Sequence, residues 1–406
     1  MIPSISWRNI WRNKLRSAVI LIAIAIGIFA GVFTWAFYQG MVEQRVNNAI
    51  MTEVSNIQIH HPGYLKDPEV KTDIKNPGDI TSVADTMQGV KAVSARILAN
   101  GMALSAETGA GIKMIGVDPQ QEKKVTNLYE KVVDGAYFEG IKRNPVVIGH
   151  KLAEKLNVKV RSKLVITLQT KDGDITSAQF RIAGIYRTSN SMYDESNIFV
   201  RKSDLSKLLG FDKPVAHEIA ILLDNNNELD HVYSELKSTF PDQDIKTWRK
   251  LMPEVSLVEE TVNVSMYFIM GIILVALCFG IINTMLMAVL ERVKELGMLM
   301  AIGMNKMRVF SMIVLETVML SIVGGVLGMI IAWAATIYYS SAGIDLSKWA
   351  QAYAKLGFDT MVYPVLDYSI IVKVALMVII TGIIGSIYPA IKALKLNPAD
   401  AIRTDM

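Results

Sequence analysis

Hydrophobic positions in this chain follow two rhythms. In four stretches they are nearly continuous. Ala18 to Tyr38 and Val262 to Leu290 carry no charge, Val309 to Tyr339 only Glu316, and Tyr368 to Ile391 only Lys373. About 20 apolar residues cross a bilayer as a helix, so transmembrane helices are predicted over 18–40, 262–290, 309–339 and 368–391. Elsewhere the pattern switches. Val54 to His61 alternates apolar and polar residues, the period of a strand with one buried face. Asp79 to Gln88 reads as a helix and Val90 to Leu98 as a strand. His217 to Leu223, Glu228 to Thr239 and Asp244 to Trp248 repeat the series strand, helix, strand. Between these two β-α-β units a hairpin is signalled by Asp172-Gly173, flanked by Leu164–Gln169 and Ala178–Ile185.

The predicted fold is an α-helical membrane protein with four transmembrane helices plus a large α+β extracytoplasmic domain inserted between helices 1 and 2. That domain covers 41–261. Residues 41–105 and 215–261 form a flanking subdomain, and 106–214 an inserted β-rich one. Residues 1–17 read as a cytoplasmic amphipathic helix, with Trp7, Ile10, Trp11 and Leu15 on one face and Arg8, Arg12 and Arg16 beside it. The 340–367 loop is extracytoplasmic and semi-apolar, suited to a membrane surface, and 392–406 is a cytoplasmic tail.

Composition agrees: 51% of the 406 residues are hydrophobic, and the mean hydropathy is +0.32. The net charge of +4 says little, but its placement says more. Arg8, Arg12, Lys14 and Arg16 precede the first span. Arg292, Lys294, Lys306 and Arg308 separate the second from the third, and Lys392, Lys395 and Arg403 follow the fourth. Basic loops stay in the cytoplasm. The expected location is the cell inner membrane, multi-pass, with the large domain outside the cytoplasm. The single cysteine, Cys278, excludes a disulfide framework within the chain. Adjacent His60 and His61 would face opposite sides of a strand, so no metal site is expected. No phosphate loop of the form GxxxxGK[ST] occurs, so ATP is not expected on this chain. No catalytic residue is expected, and the membrane explains the basic N-terminus better than nucleic acid does.

The candidate chemistry lies in 291–308, a cytoplasmic segment between two spans. Glu291 with Lys294, and Arg292 with Glu295, have helical i,i+3 spacing. Val293, Leu296 and Met300 form an apolar stripe, and Gly297 and Gly303 allow a bend or a break. A short amphipathic docking helix fits this pattern, and so does a solvated turn anchored at the interface. Glu316 lies two turns past Arg308, about 11 Å into the third span at 5.4 Å per turn. It is either an intramembrane functional group or the partner of Arg292 or Arg308. Gly27 with Gly31, and Gly324 with Gly328, are small-residue pairs that let helices approach closely, within or between subunits.

Glu291-Arg292, Glu295-Leu296-Gly297 and Ala301-Ile302-Gly303 resemble the ER-x-x-E-[IL]-G…A-[IL]-G motif of FtsX/MacB-type ABC transporter permeases. The N-terminal Arg8-Asn9 entry and the Tyr388-Pro389-Ala390…Ala401-Ile402-Arg403 tail are similar to that family's ends. Within the large domain, Ile57-Gln58-Ile59-His60, Gly116-Val117-Asp118-Pro119, Gly135 to Phe138, Ile148 to Ala153 and Gly184 to Arg187 resemble its LolC/LolE lipoprotein-releasing branch. Arg161-Ser162 departs from the family's Gly-Asp at one turn. The resemblance implies that Glu291 to Gly303 is a coupling helix seated on a cytoplasmic ABC ATPase dimer, with ATP and magnesium on that partner. It implies a second permease, identical or related, and a lipoprotein or other amphipathic cargo. MacB-like efflux, FtsX-like signalling and, from another class, a membrane-anchored receptor without a motor are the alternatives.

Overall fold

The computed structural model describes Ser6, Arg8, Arg12 and Lys14–Lys395, the side chain of Arg16 excepted. Trp7, Ile10 and Trp11 of the expected N-terminal face, and the tail from Leu396 on, lie outside the described residues. The chain divides into two compact units: Met1–Val42, Glu259–Asp345 and Met361–Met406 in one, Glu43–Val258 and Leu346–Thr360 in the other.

The first long helix, α1, spans Lys14–Asn48 and runs well past its apolar run. It ends in a wide turn over Ala49–Val54, where Ser55 N bonds to Ile50 O, five residues back. The second unit then begins its sheet with β1 (Ile57–His60), α2 (Pro77–Asp85), β2 (Val90–Leu104) and β3 (Gly109–Val117). Next come β4 (Val132–Gly135), β5 (Pro145–Gly149), β6 (Lys163–Gln169), β7 (Ile175–Tyr186) and β8 (Asn197–Arg201). It closes with β9 (Glu218–Leu223), α3 (Leu229–Thr239) and β10 (Asp244–Thr247). The strand order is β10-β1-β9-β2-β3-β8-β5-β7-β4, with β6 pairing β2 and β7.

At one end, β1, β2, β9 and β10 lie in the order 10-1-9-2, and β1 is antiparallel to both neighbours. This is a split β-α-β arrangement, with everything between β2 and β9 inserted into it. The expected subdomain boundary at 105/106 is corrected. β2 pairs with β9 as far as Arg96 and with β3 from Ile97 onward, so the change of partner falls inside one continuous strand. Propensity gives no sign of it, because an extended strand can change neighbours without changing its own geometry. The hairpin around Asp172-Gly173 forms as expected, with Gly173 at φ +93°. Arg161, the departure from the family's turn, has φ +71°, a left-handed conformation that favours glycine.

The remaining long helices are α4 (Pro253–Glu291), α6 (Lys306–Ala342) and α8 (Tyr368–Leu394), with the short α5 (Val293–Ala301) between α4 and α6. Each of α1, α4, α6 and α8 is long and apolar enough to cross a membrane. Between α6 and α8, β11 (Ile344–Asp345) pairs with β12 (Met361–Val362), and the excursion they bracket holds α7 (Ala350–Lys355). The excursion is tied into the sheet unit by polar contacts. Arg45 Nε donates to Leu356 O at 3.2 Å, and Asn48 Nδ2 to Asp359 Oδ2 at 2.7 Å. Ser189 Oγ also donates to the Asp359 carboxylate.

Candidate coupling site

The charged connector folds because its neighbours break the long helices. Arg292 leaves helical geometry at φ −103°, ψ 19°, which ends α4 and starts α5. Gly303, at φ +100°, ends the segment, and Asn305 caps α6 by accepting from Met307 N at 3.0 Å. α5 is thus a short helix between two punctuation points, as its spacing suggests.

Its orientation differs from the simplest expectation. Leu296 is 4% exposed and packs into the apolar cluster of the helical unit with Val289, Val309, Met312 and Ile313. Met300 and Leu299 pack against the same cluster, and Gly297 is buried. Leu296 and Met300 of the stripe therefore seat α5 on the chain's own helices, while Val293 is half-buried outside that cluster. Burial of a leucine side chain contributes about 1.5–3 kcal/mol, which holds α5 down without help from outside. The outward face carries Met298, 56% exposed, and Ile302, 80% exposed, with Lys294, Glu295, Ala301 and Gly303 around them. Glu291 is exposed as well.

Of the two open readings of Glu316, the structure favours the paired one. Arg292 Nη1 meets Glu316 Oε1 at 3.2 Å, and both side chains are largely buried. The guanidinium at the break between α4 and α5 is thereby tied to the body of α6. A second ion pair joins Glu295 to Arg12, near the N-terminus, at the surface. Beneath α5 lies a cleft of about 310 Å³ with both pairs on its walls and Met285, Val289, Leu296 and Met312 among its apolar lining. The sequence pattern places Arg12 on a basic interfacial face and gives no sign of this partner. Nothing in a local pattern links it to Glu295, 283 residues away.

The small-residue pairs act within the chain. A side chain at Gly328 would come within 2.6 Å of Ala25 O, and one at Gly324 within 2.9 Å of Ile24 Cβ, so α6 lies directly on α1. Gly27 and Gly31 receive Leu277 and Met270 of α4. These four glycines let the long helices pack closely, while the residues from Glu291 to Gly303 and Glu316 make up the candidate site. Among the described residues, no group of three or more histidine, cysteine or acidic side chains is placed to hold a metal ion.

Comparison with known proteins matches both parts of the chain. Residues 17–239 match the MacB-like periplasmic core domain, and residues 267–398 the FtsX-like permease C-terminal family. An uncharacterized ABC transporter permease of Methanocaldococcus jannaschii is 27% identical over 282 residues, covering 67% of this chain and 65% of that one. The lipoprotein-releasing system transmembrane protein LolC of Neisseria meningitidis is 22% identical over 358 residues, covering 84% and 83%. The periplasmic region of MacB from Actinobacillus actinomycetemcomitans superposes with a TM-score of 0.35 at 13% identity, covering 52% of this chain and 97% of that one. The core-domain match alone takes in more than half of the 406 residues. The chain belongs to the FtsX/MacB family of ABC transporter permeases.

Proposed function

We propose that this chain is the membrane subunit that couples ATP hydrolysis by a separate cytoplasmic ABC ATPase to a conformational change outside the cytoplasm. Its cargo, in this reading, is a lipoprotein drawn from the outer leaflet of the inner membrane. The observation that carries the reading is α5. It is locked to its own helices by Leu296 and the Arg292–Glu316 pair, yet it holds Met298 and Ile302 outward in water. Large apolar side chains held out on a charged helix at a membrane face suit a protein contact. ATP and magnesium belong to the partner, and two permeases, identical or related, complete the assembly. Four spans per chain give such a dimer no wide aqueous pore. That favours amphipathic cargo over a solute that must be threaded through. The LolC relative, matched along most of both chains, supports lipoprotein release over efflux or signalling.

The test is made on the full chain expressed with its ATPase. Met298→Asp and Ile302→Asp change exposed positions, so stability should move by no more than about 0.5 kcal/mol. The ATPase should no longer co-purify, because a charge is forced into an apolar contact. Normal co-purification and release activity in both variants would reduce α5 to a solvated turn. Sidedness is read with cysteines placed at Asp172 and Lys306 in a Cys278→Ser background, which should label from opposite faces. Labelling of position 306 from outside would reverse the orientation.

A further inference from the structure

The excursion Leu346–Thr360 belongs to the sheet unit, and short connections join it to two helices long and apolar enough to cross a membrane. It starts four residues after α6 ends at Ala342 and stops eight residues before α8 begins at Tyr368. Tyr338 and Tyr339 near the end of α6, and Tyr368 at the start of α8, are exposed, and such aromatic side chains concentrate at membrane interfaces. The excursion turns Trp349 and Leu356 outward, 58% and 67% exposed, while Phe358 is buried.

Behind it lies a cleft of about 400 Å³ lined by Lys131, Arg187, Thr188, Ser189, Phe358 and Asp359, among others. Arg187 N donates to Lys131 O at 2.9 Å, so the two cationic side chains leave neighbouring backbone positions. Among the described residues, neither side chain has an ion-pair or hydrogen-bond partner. Asp194 and Glu154 feel the charge of Arg187 without pairing with it. The Asp359 carboxylate on the wall already accepts from Asn48 Nδ2 and Ser189 Oγ. Two unpaired cations against one occupied carboxylate leave the cleft positive, which draws an anion.

We propose that this cleft binds the phosphate of an anionic phospholipid headgroup, with Trp349 and Leu356 in the adjoining acyl boundary. Lys131 and Arg187 hold the phosphate oxygens, the arginine with its planar fork and the lysine as a point charge. The lipid then packs against the one excursion of the α6–α8 connection that joins the sheet unit. Only the choice of leaflet rests on the orientation proposed above.

The experiment uses the full chain in detergent micelles, where both faces are open, titrated with phosphatidylglycerol and, separately, phosphatidylcholine. Native mass spectrometry counts the lipids retained. The wild type should hold one phosphatidylglycerol more than Lys131→Ala/Arg187→Ala, or need about tenfold less lipid for the same occupancy. Lys131→Arg/Arg187→Lys should restore it, and phosphatidylcholine should not distinguish the variants. Equal retention by wild type and the alanine variant would overturn the proposal, as would equal retention of phosphatidylcholine. Displacement of the lipid by millimolar inorganic phosphate would also overturn it, since the site would then serve a free anion. Because micelles expose both faces, failure to bind rejects the cleft whatever the orientation. The cysteine labelling tests orientation on its own.

Discussion

Arg96 in the sheet unit and Arg292 in the helical unit each pair with buried acidic side chains, and the two arrangements differ in how tightly they are made. In the sheet unit, Arg96 sits between Glu122, Nη2 to Oε1 2.7 Å, and Glu218, Nη1 to Oε1 2.6 Å, with all three side chains buried. Ser94 Oγ donates to Glu122 Oε2 at 2.7 Å, and Arg96 Nε reaches the same oxygen at 3.1 Å. Burial alone would push the Glu218 carboxyl up, but Arg96, Lys113 and His60 together hold it below the usual range. Arg96 is also where β2 changes partner, so the cluster pins the two halves of the sheet. In the helical unit, Arg292 has a looser 3.2 Å contact with Glu316, at a helix break beside a cleft of about 310 Å³. A tightly packed cluster with short contacts resists displacement, whereas a longer ion pair beside open volume has room to shift. The first is built as a fixed joint. The second leaves the helix break room to shift.

The contrast can be broken in three ways. The largest effect is expected from Arg96→Ala, which leaves two carboxylates buried without their counter-charge. Removing one partner of such a cluster costs about 3–5 kcal/mol. Hydrogen exchange on the full chain should show protection lost at β2 and β9 with α6 and α8 unaffected. Equal loss in the helices would mean the two units do not unfold independently.

Leu296→Ala should cost less. Buried Leu→Ala changes span about 2–5 kcal/mol, and the neighbouring cleft, already open, puts this one near the lower end. Faster exchange should be confined to α5 and the adjoining ends of α4 and α6. A cost above that range would show α5 to be as rigidly packed as the sheet joint.

The smallest effect is a pH slope. Burial pushes the Asp194 carboxyl up to about 7, against the opposing hydrogen bonds from Thr188. Its folded-state pKa then lies above the unfolded 3.8, so between about pH 4 and 7 the folded chain binds the extra proton and gains stability as pH falls. Asp194→Asn should flatten the thermal-stability profile over that window relative to wild type. A parallel profile in the variant would show that Asp194 does not titrate there. Burial lowers His60 and His217, which act in the opposite sense below neutrality. Only the difference between the two proteins is diagnostic.

The two units also wear opposite surfaces. Phe268, Ile272, Phe279 and Val372 stand exposed on the long helices, whereas Ile57, Phe199 and Trp248 are buried in the sheet unit. That much was legible in the sequence, because hydrophobic period and run length respond to the local solvent, lipid or water. The four spans, the helix at 293–301, the hairpin at Asp172-Gly173 and the alternation of strands and helices all follow from patterns a few residues long. What required the tertiary structure was every decision made by residues far apart in the chain. Glu316 pairing with Arg292, Leu296 turning inward and leaving Met298 and Ile302 outside, Arg12 meeting Glu295, and β2 changing partner at Arg96 are of this kind. Local propensity cannot settle them, since each outcome has the same local conformation as its alternative. They are fixed by which distant surface is present to exclude solvent and compensate charge.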